Sequence, residues 1–74
     1  MSIYYKPRDF IITYHHDHYQ DLSDVWMPKA SLVNRHTWER AIVCCPDPER
    51  SREMADCAVR REAAKRIRED NWRN

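Results

Sequence analysis

Large aliphatic side chains are scarce in this chain, and that scarcity limits what it can fold into. Leu, Ile, Val and Phe together number 12 of 74 residues, and a chain this short buries only about 60% of the surface that its unfolded form exposes. We therefore expect one small domain, residues 1–74, whose core draws on Phe10, Trp26 and Trp38 as well as on some tyrosines. Such a core is too small to enclose a ligand cavity, so we predict a non-enzymatic protein that acts through its surface.

Glycine is absent from the sequence. The loops that cradle phosphates in P-loop and dinucleotide-binding proteins need glycine where the backbone approaches the ligand, so nucleotide binding of either kind is excluded. Tight hairpin turns with two left-handed residues are also disfavoured. Where a turn needs one left-handed residue, we expect Asn34 or an aspartate to provide it.

The C-terminal third of the chain is predicted to form one long helix. Asp47 can cap this helix, Pro48 suits its first residue, and good helix formers continue to about Asp70. An apolar row recurs every four residues within it: Ala55, Val59, Ala63 and Ile67, flanked by Met54 and Ala58. These small side chains would let the helix pack closely against a sheet or a second helix.

Two other segments are predicted to form strands. Residues 40–45 form a short apolar run that Pro46 ends, which favours a buried strand. The alternative for this region is a helix across residues 31–44. Residues 9–19 are rich in Ile, Thr and Tyr, which also predicts a strand.

Residues 20–35, which include Pro28, are predicted to be mostly loop, with a short helical turn at residues 23–26. Together the segments predict an α+β fold, in which a small two- or three-stranded antiparallel sheet carries one long C-terminal helix packed on one face. A small all-α bundle is the alternative.

Histidines and cysteines are the candidates for metal binding: His15, His16, His18, His36, Cys44, Cys45 and Cys57. On a strand, His16 and His18 would point to the same face and could share a zinc ion. No C-x2-C or H-x3-H pair is present. We therefore predict no metal or other cofactor, and we interpret the cysteines as small buried side chains. The alternative is a zinc-stabilised module that binds nucleic acid or protein.

The cations of the predicted helix do not indicate a nucleic-acid interface. They spread around the helix and alternate with Glu62, Glu69 and Asp70, which is typical of a solvated surface crossed by ion pairs. The cations concerned are Arg60, Arg61, Lys65, Arg66 and Arg68. On this pattern we do not expect direct nucleic-acid binding.

The N-terminal half of the chain is acidic and aromatic. Between residues 9 and 28 there are four aspartates and no lysine or arginine. Tyrosine and tryptophan provide large, stiff contact surfaces at protein interfaces, and nearby carboxylates attract a basic partner. We predict a partner-binding surface made of seven residues: Tyr4, Tyr5, Asp17, Tyr19, Asp21, Asp24 and Trp26.

In these features the chain resembles the small accessory inhibitors that phages and other mobile elements carry, above all the anti-CRISPR proteins. The resemblance is one of kind: a very small domain with segregated charge, many arginines and no enzyme motif. It implies a steric inhibitor that occupies a basic, nucleic-acid-handling surface of a large host complex, such as a CRISPR effector complex, in the host cytoplasm. Three cysteines and the lack of a secretory or membrane-spanning apolar stretch fit that compartment. A homodimer that buries the aromatic residues is the other interpretation.

Overall fold

The computed structural model describes residues 4–21 and 23–73, and these residues form an α+β fold. A short 3-10 turn, Pro7–Asp9, leads into five strands and one helix within the described chain. In chain order these are β1 (Phe10–Tyr14), β2 (Asp17–Tyr19), β3 (Val25–Met27), β4 (Lys29–Asn34), β5 (Arg40–Cys44) and α1 (Arg52–Arg68). The predicted fold class is confirmed, and the all-α alternative is wrong. No helix in the described chain has the length and apolar character needed to cross a membrane.

Strands β1, β4 and β5 form an antiparallel sheet in which β4 is central. Its register places Leu32 of β4 opposite Ile12 of β1 and Ala41 of β5. Because side chains alternate between the two faces of a strand, Leu32 and Asn34 both lie on the buried face of β4. The strand predicted at residues 40–45 is confirmed as β5, and the alternative helix is wrong.

The N-terminal half departs from the prediction. The strand expected at residues 9–19 is two strands, because the chain leaves the large sheet after Tyr14 and β2 pairs with β3 in a separate two-stranded sheet. Residues 20–35, expected to be mostly loop with a helical turn at residues 23–26, contain β3 and β4 instead. Pro28 lies between these two strands and, having no N–H to donate, separates one sheet from the other.

Helix α1 packs on one face of the three-stranded sheet. Its apolar row is buried as predicted: Ala55, Val59, Ala63 and Ile67. The helix begins at Arg52, later than predicted, and its cap is Ser51 rather than Asp47. The reason is that Glu49 exchanges two backbone hydrogen bonds with Trp26. This bridge holds the segment before the helix in an extended conformation.

The largest fully buried side chain in the described part of the chain is Trp72, which sequence reasoning did not single out. Its side chain is fully buried, and its ring centroid lies 4.7 Å from that of Phe10. Trp38, expected in the core, is 68% exposed because it lies in the turn between β4 and β5. Without a glycine in that turn, Trp38 itself takes the left-handed conformation, at φ 63°, rather than Asn34. Asp24 does take a left-handed position, as expected for an aspartate.

Candidate functional site

The seven residues predicted to bind a partner lie at two ends of an elongated molecule, which measures 48 × 19 × 19 Å. Tyr4 is exposed and Tyr5 is half-buried at the end of the sheet where β1 begins. We call this end of the molecule, which also contains Trp72, the covered end. The other five lie on the β2–β3 hairpin, residues 17–27, which we call the hairpin end. β1 alone spans about 13 Å between the two ends, so the seven residues do not form one contiguous surface.

The register of the hairpin separates the two aromatic residues that were predicted to act together. Tyr19 pairs with Val25, and His18 pairs with Trp26. Since consecutive residues of a strand point to opposite faces, Tyr19 lies on one face of the hairpin and Trp26 on the other. Asp17 shares the face of Tyr19. A flat partner surface can therefore contact Asp17 and Tyr19 together, but not Trp26 at the same time.

The Tyr19 side of the hairpin and the turn after β2, in which Asp21 lies, are exposed and acidic. Tyr19 is 46% exposed, and Asp17 and Asp21 are open to solvent. In the part of the chain that the structure describes, no cationic side chain lies within ion-pair distance of either carboxylate. Asp24 differs, because its Oδ1 lies 2.6 Å from Nε2 of His18. We call Asp17, Tyr19 and Asp21 the hairpin acidic surface.

Trp26 is half-buried and attaches the hairpin to the rest of the molecule. Its ring stacks on that of His18, with centroids 3.9 Å apart and planes 9° apart. Its backbone N–H and carbonyl both bond to Glu49, just before α1. A two-stranded hairpin is marginally stable by itself, so this bridge contributes to holding β2 and β3 in place. Trp26 therefore helps to attach the hairpin to the rest of the chain.

A groove of about 480 Å³ lies between the hairpin and α1, lined by Tyr14, His15, His16, Trp26, Arg52 and Asp56. The side chain of His16 is 2% exposed, and its Nε2 lies 2.5 Å from Oδ1 of Asp56. Its Nδ1 accepts a hydrogen bond from the backbone N–H of Lys29 at 3.0 Å. This network assigns the ring proton to Nε2, which donates it to the carboxylate. His16 therefore has no free nitrogen for a metal ion or for proton abstraction.

The geometry gives no support to the zinc alternative. Among the residues that the structure describes, no group of three or more His, Cys, Asp or Glu side chains could hold a metal ion. The prediction that all three cysteines are buried is wrong: Cys44 and Cys57 are exposed, since they lie on the sides of β5 and α1 that face away from the core. Cys45 is half-buried, and burial raises the pKa of its thiol, which disfavours the reactive thiolate.

At the covered end, similar residue types are packed against the core. Tyr5 stacks on His36 with ring centroids 5.9 Å apart and meets Trp72 edge-on at 6.3 Å. The carboxylate of Asp9 accepts a hydrogen bond from the Lys6 backbone N–H at 2.8 Å and lies 3.0 Å from Nε2 of His36. These two contacts, the backbone bond first, hold the pKa of Asp9 below its ordinary value.

Two of the five helix cations are engaged by neighbouring side chains. Arg60 donates to the Tyr14 hydroxyl at 2.9 Å, a bond that raises the pKa of Arg60 further. Arg66 pairs with Glu62 at 3.0 Å. The other three are exposed: Arg61, Lys65 and Arg68.

Comparison with protein-family models, with curated protein sequences and with solved structures finds no match to this chain.

Proposed function

We propose that the protein is a non-catalytic inhibitor that binds a basic, nucleic-acid-handling surface of a large host complex. The observation that carries the proposal is the hairpin acidic surface. There Asp17 and Asp21 flank an exposed tyrosine, and neither carboxylate has a cationic partner in the described part of the chain. A surface of lysines and arginines on another protein would supply those partners.

The physical chemistry of this surface suits binding to a basic partner. Unpaired carboxylates raise the rate of encounter with a positive surface and fix the orientation of the complex. Tyr19 adds a large contact area at a low cost in side-chain entropy. The hairpin lies at one end of a 48 Å molecule, so the remainder of the chain would extend from the contact and exclude other macromolecules.

We propose, more narrowly, that the target is a CRISPR effector complex. The resemblance in kind to anti-CRISPR proteins favours a CRISPR effector complex in the host cytoplasm, where the inhibitor would block access of target DNA or recruitment of a nuclease. Asp17 and Asp21 would form ion pairs with lysines or arginines of the effector. Tyr19, between the two carboxylates, would pack against the effector surface.

His15 and His16 lack the arrangement that catalysis requires, which supports a non-catalytic role. Both ring nitrogens of His16 are occupied. His15 lies 3.1 Å from the Ser31 hydroxyl at an exposed position, and in the described part of the chain no carboxylate orients the other nitrogen of that ring. A serine nucleophile needs an oriented base and donors for the oxyanion, and this contact provides neither.

The test is a binding measurement on purified CRISPR effector complexes, by interferometry, with the double variant Asp17→Lys and Asp21→Lys. If the carboxylates pair with buried cations, the variant will lose about 2–5 kcal/mol of binding free energy, which is about 30-fold or more in Kd. The matched control carries the same change in net charge at exposed sites away from the hairpin, Asp47→Lys and Glu69→Lys, and is expected to bind almost as well as the parent.

Equal losses in the two double variants would show that binding follows net charge rather than the hairpin acidic surface. Binding by the parent that does not compete with target DNA or nuclease would contradict steric inhibition. A failure of every effector complex to bind would contradict the narrower proposal.

A further inference from the structure

We propose that the outward side of α1 binds the phosphate backbone of a nucleic acid. The residues concerned are Arg61, Lys65 and Arg68, which we call the helix ridge. The proposal is independent of the hairpin acidic surface, and it differs from the expectation that the sequence pattern gives, because that pattern does not show which of the helix cations are already engaged.

The three cations of the helix ridge form a single row. They follow one another at i, i+4 and i+7, a spacing that places side chains on the same side of a helix. At 1.5 Å per residue the row is about 10 Å long. All three side chains are exposed, and all three border one open groove of about 510 Å³. A rigid helix therefore presents three positive charges in a line.

Two of the three acidic residues that alternate with the helix cations in the sequence are engaged elsewhere, whereas Glu69 is exposed and has no ion pair in the described part of the chain. Glu62 pairs with Arg66 at 3.0 Å, and Asp70 lies 3.5 Å from Arg73. Asp56, on the opposite flank of the helix, bonds to His16. Across residues 4–21 and 23–73, no carboxylate lies within ion-pair distance of the helix ridge. Its positive charge is therefore left uncompensated by direct pairing.

The chemistry of the helix ridge fits phosphates better than it fits an acidic protein. Its neighbours one turn earlier on the helix are Cys57 and Ala58, and no aromatic side chain adjoins it on the helix, whereas the centres of protein interfaces are built on aromatic anchors. A duplex carries one negative charge for each nucleotide along each strand, so it can meet a straight row of cations at several points. Arginine, which supplies two of the three charges, also matches phosphate oxygens with paired N–H donors.

The other wall of the groove limits where the nucleic acid can lie. Asp47 and Glu49 line the groove there, and Glu62 lines it from the helix. Their negative charge would repel a phosphate placed deep in the groove, so the backbone is expected to run along the ridge itself. Removing the charge of Asp47, by Asp47→Asn, should therefore tighten binding.

The test uses the full chain, without any partner protein, and a fluorescent DNA duplex of about 20 base pairs in an anisotropy titration at increasing salt. Three phosphate contacts predict a slope of about −2.7 for log K against log salt, which is about a 40-fold loss of affinity between 50 and 200 mM. The variant Arg61→Gln, Lys65→Gln and Arg68→Gln should lose most of the binding and of the slope.

The matched control removes the same net charge from exposed arginines away from the ridge: Arg8→Gln, Arg35→Gln and Arg40→Gln. We expect this control to retain most of the affinity and a slope close to that of the parent, and circular dichroism should show that both triple variants fold. Equal losses in the two variants, an unchanged slope in the ridge variant, or no binding at 50 mM salt would overturn the proposal. Polyglutamate binding as tightly as the duplex would assign the ridge to an acidic protein and overturn it too.

A negative result for one of the two proposed binding surfaces does not affect the test of the other. The hairpin variant Asp17→Lys and Asp21→Lys leaves the helix ridge intact, so it should still bind the duplex whether or not it binds an effector complex.

Discussion

The two ends of the molecule use the same four residue types for different purposes. Each end combines a tyrosine, a histidine, an aspartate and a tryptophan: Tyr5, His36, Asp9 and Trp72 at the covered end, and Tyr19, His18, Asp24 and Trp26 at the hairpin end. At the covered end the tryptophan is fully buried and the tyrosine packs against it. At the hairpin end the tyrosine is exposed and the tryptophan is only half-buried.

The length of α1 explains this difference. A helix of 17 residues is about 25 Å long, whereas the molecule extends over 48 Å. The helix and the segment that follows it can therefore cover only part of the long axis. Trp72, four residues beyond the end of α1, packs on Phe10 and so covers the core at this end. In this chain, coverage by another element, rather than local composition, therefore decides whether an aromatic residue packs in the core or stays exposed.

The largest effect is expected from removing the tryptophan of the covered end. The substitution Trp72→Ala should lower the free energy of unfolding by about 3–5 kcal/mol. That is a large share of the roughly 4–11 kcal/mol available to a chain of this size. The control Trp38→Ala removes a side chain that is 68% exposed and should change stability by no more than about 0.5 kcal/mol.

Urea unfolding followed by far-ultraviolet circular dichroism measures both variants without relying on tryptophan fluorescence. Similar losses in the two would mean that Trp72 contributes no more to stability than an exposed tryptophan does. A third variant, Trp72→Phe, separates the loss of ring packing from the loss of the indole N–H, because the indole Nε1 of Trp72 is buried without a hydrogen-bond partner in the described chain. Phe removes that unsatisfied donor, so it should cost far less than Ala.

A smaller effect is expected where the hairpin end is attached. The substitution His16→Ala leaves the Lys29 N–H without its acceptor and removes the donor to Asp56, which should cost about 1–3 kcal/mol. The adjacent His15→Ala removes an exposed contact to Ser31 and should cost no more than about 0.5 kcal/mol. Hydrogen exchange should show faster opening of the hairpin in the first variant alone; equal exchange in both would contradict an anchoring role for His16.

The parts of the fold that could be predicted from the sequence are those whose signal is local. The apolar row of α1 repeats every four residues, and β5 is a short apolar run that a proline ends. The start of α1 could not be predicted, because the bridge between Trp26 and Glu49 joins residues far apart in the chain. β4 did carry an alternating signal at Ala30, Leu32 and Asn34, but its third buried position is an asparagine, which weakens the pattern.

The candidate site was harder to predict for the same reason. Acidity and aromatic content drew attention to residues 17–26 as a set. Which of them share a face depends on the pairing of β2 with β3, and a shift of one residue in that register would exchange the faces. Composition alone therefore could not separate Tyr19 from Trp26. Nor could composition show that Asp24 pairs with His18, whereas Asp17 and Asp21 have no such partner in the described part of the chain.

The smallest effect concerns the aspartate at each end. Asp9 is 25% exposed and accepts a backbone hydrogen bond, whereas Asp24 is 75% exposed. Because the pKa of Asp9 is lowered in the folded chain, its carboxylate stabilises the fold above the ordinary value of 3.8, and this stabilisation is lost as the pH falls through the lowered value. Thermal unfolding should show a lower Tm for Asp9→Asn than for the parent at pH 7, and the difference should shrink as the pH falls below 3.8.

The substitution Asp24→Asn is the matched variant at the hairpin end, and asparagine tolerates the left-handed conformation there. Its ion pair with His18 is exposed on the carboxylate side, and exposed pairs contribute little to stability, so its Tm should differ less from the parent than that of Asp9→Asn at pH 7. If the Tm difference of Asp9→Asn stayed constant down to pH 2, the charge of Asp9 would have no stabilising role. A greater loss for Asp24→Asn would mean that the exposed hairpin depends on its aspartate more than the packed end does, and would reverse the comparison between the two ends.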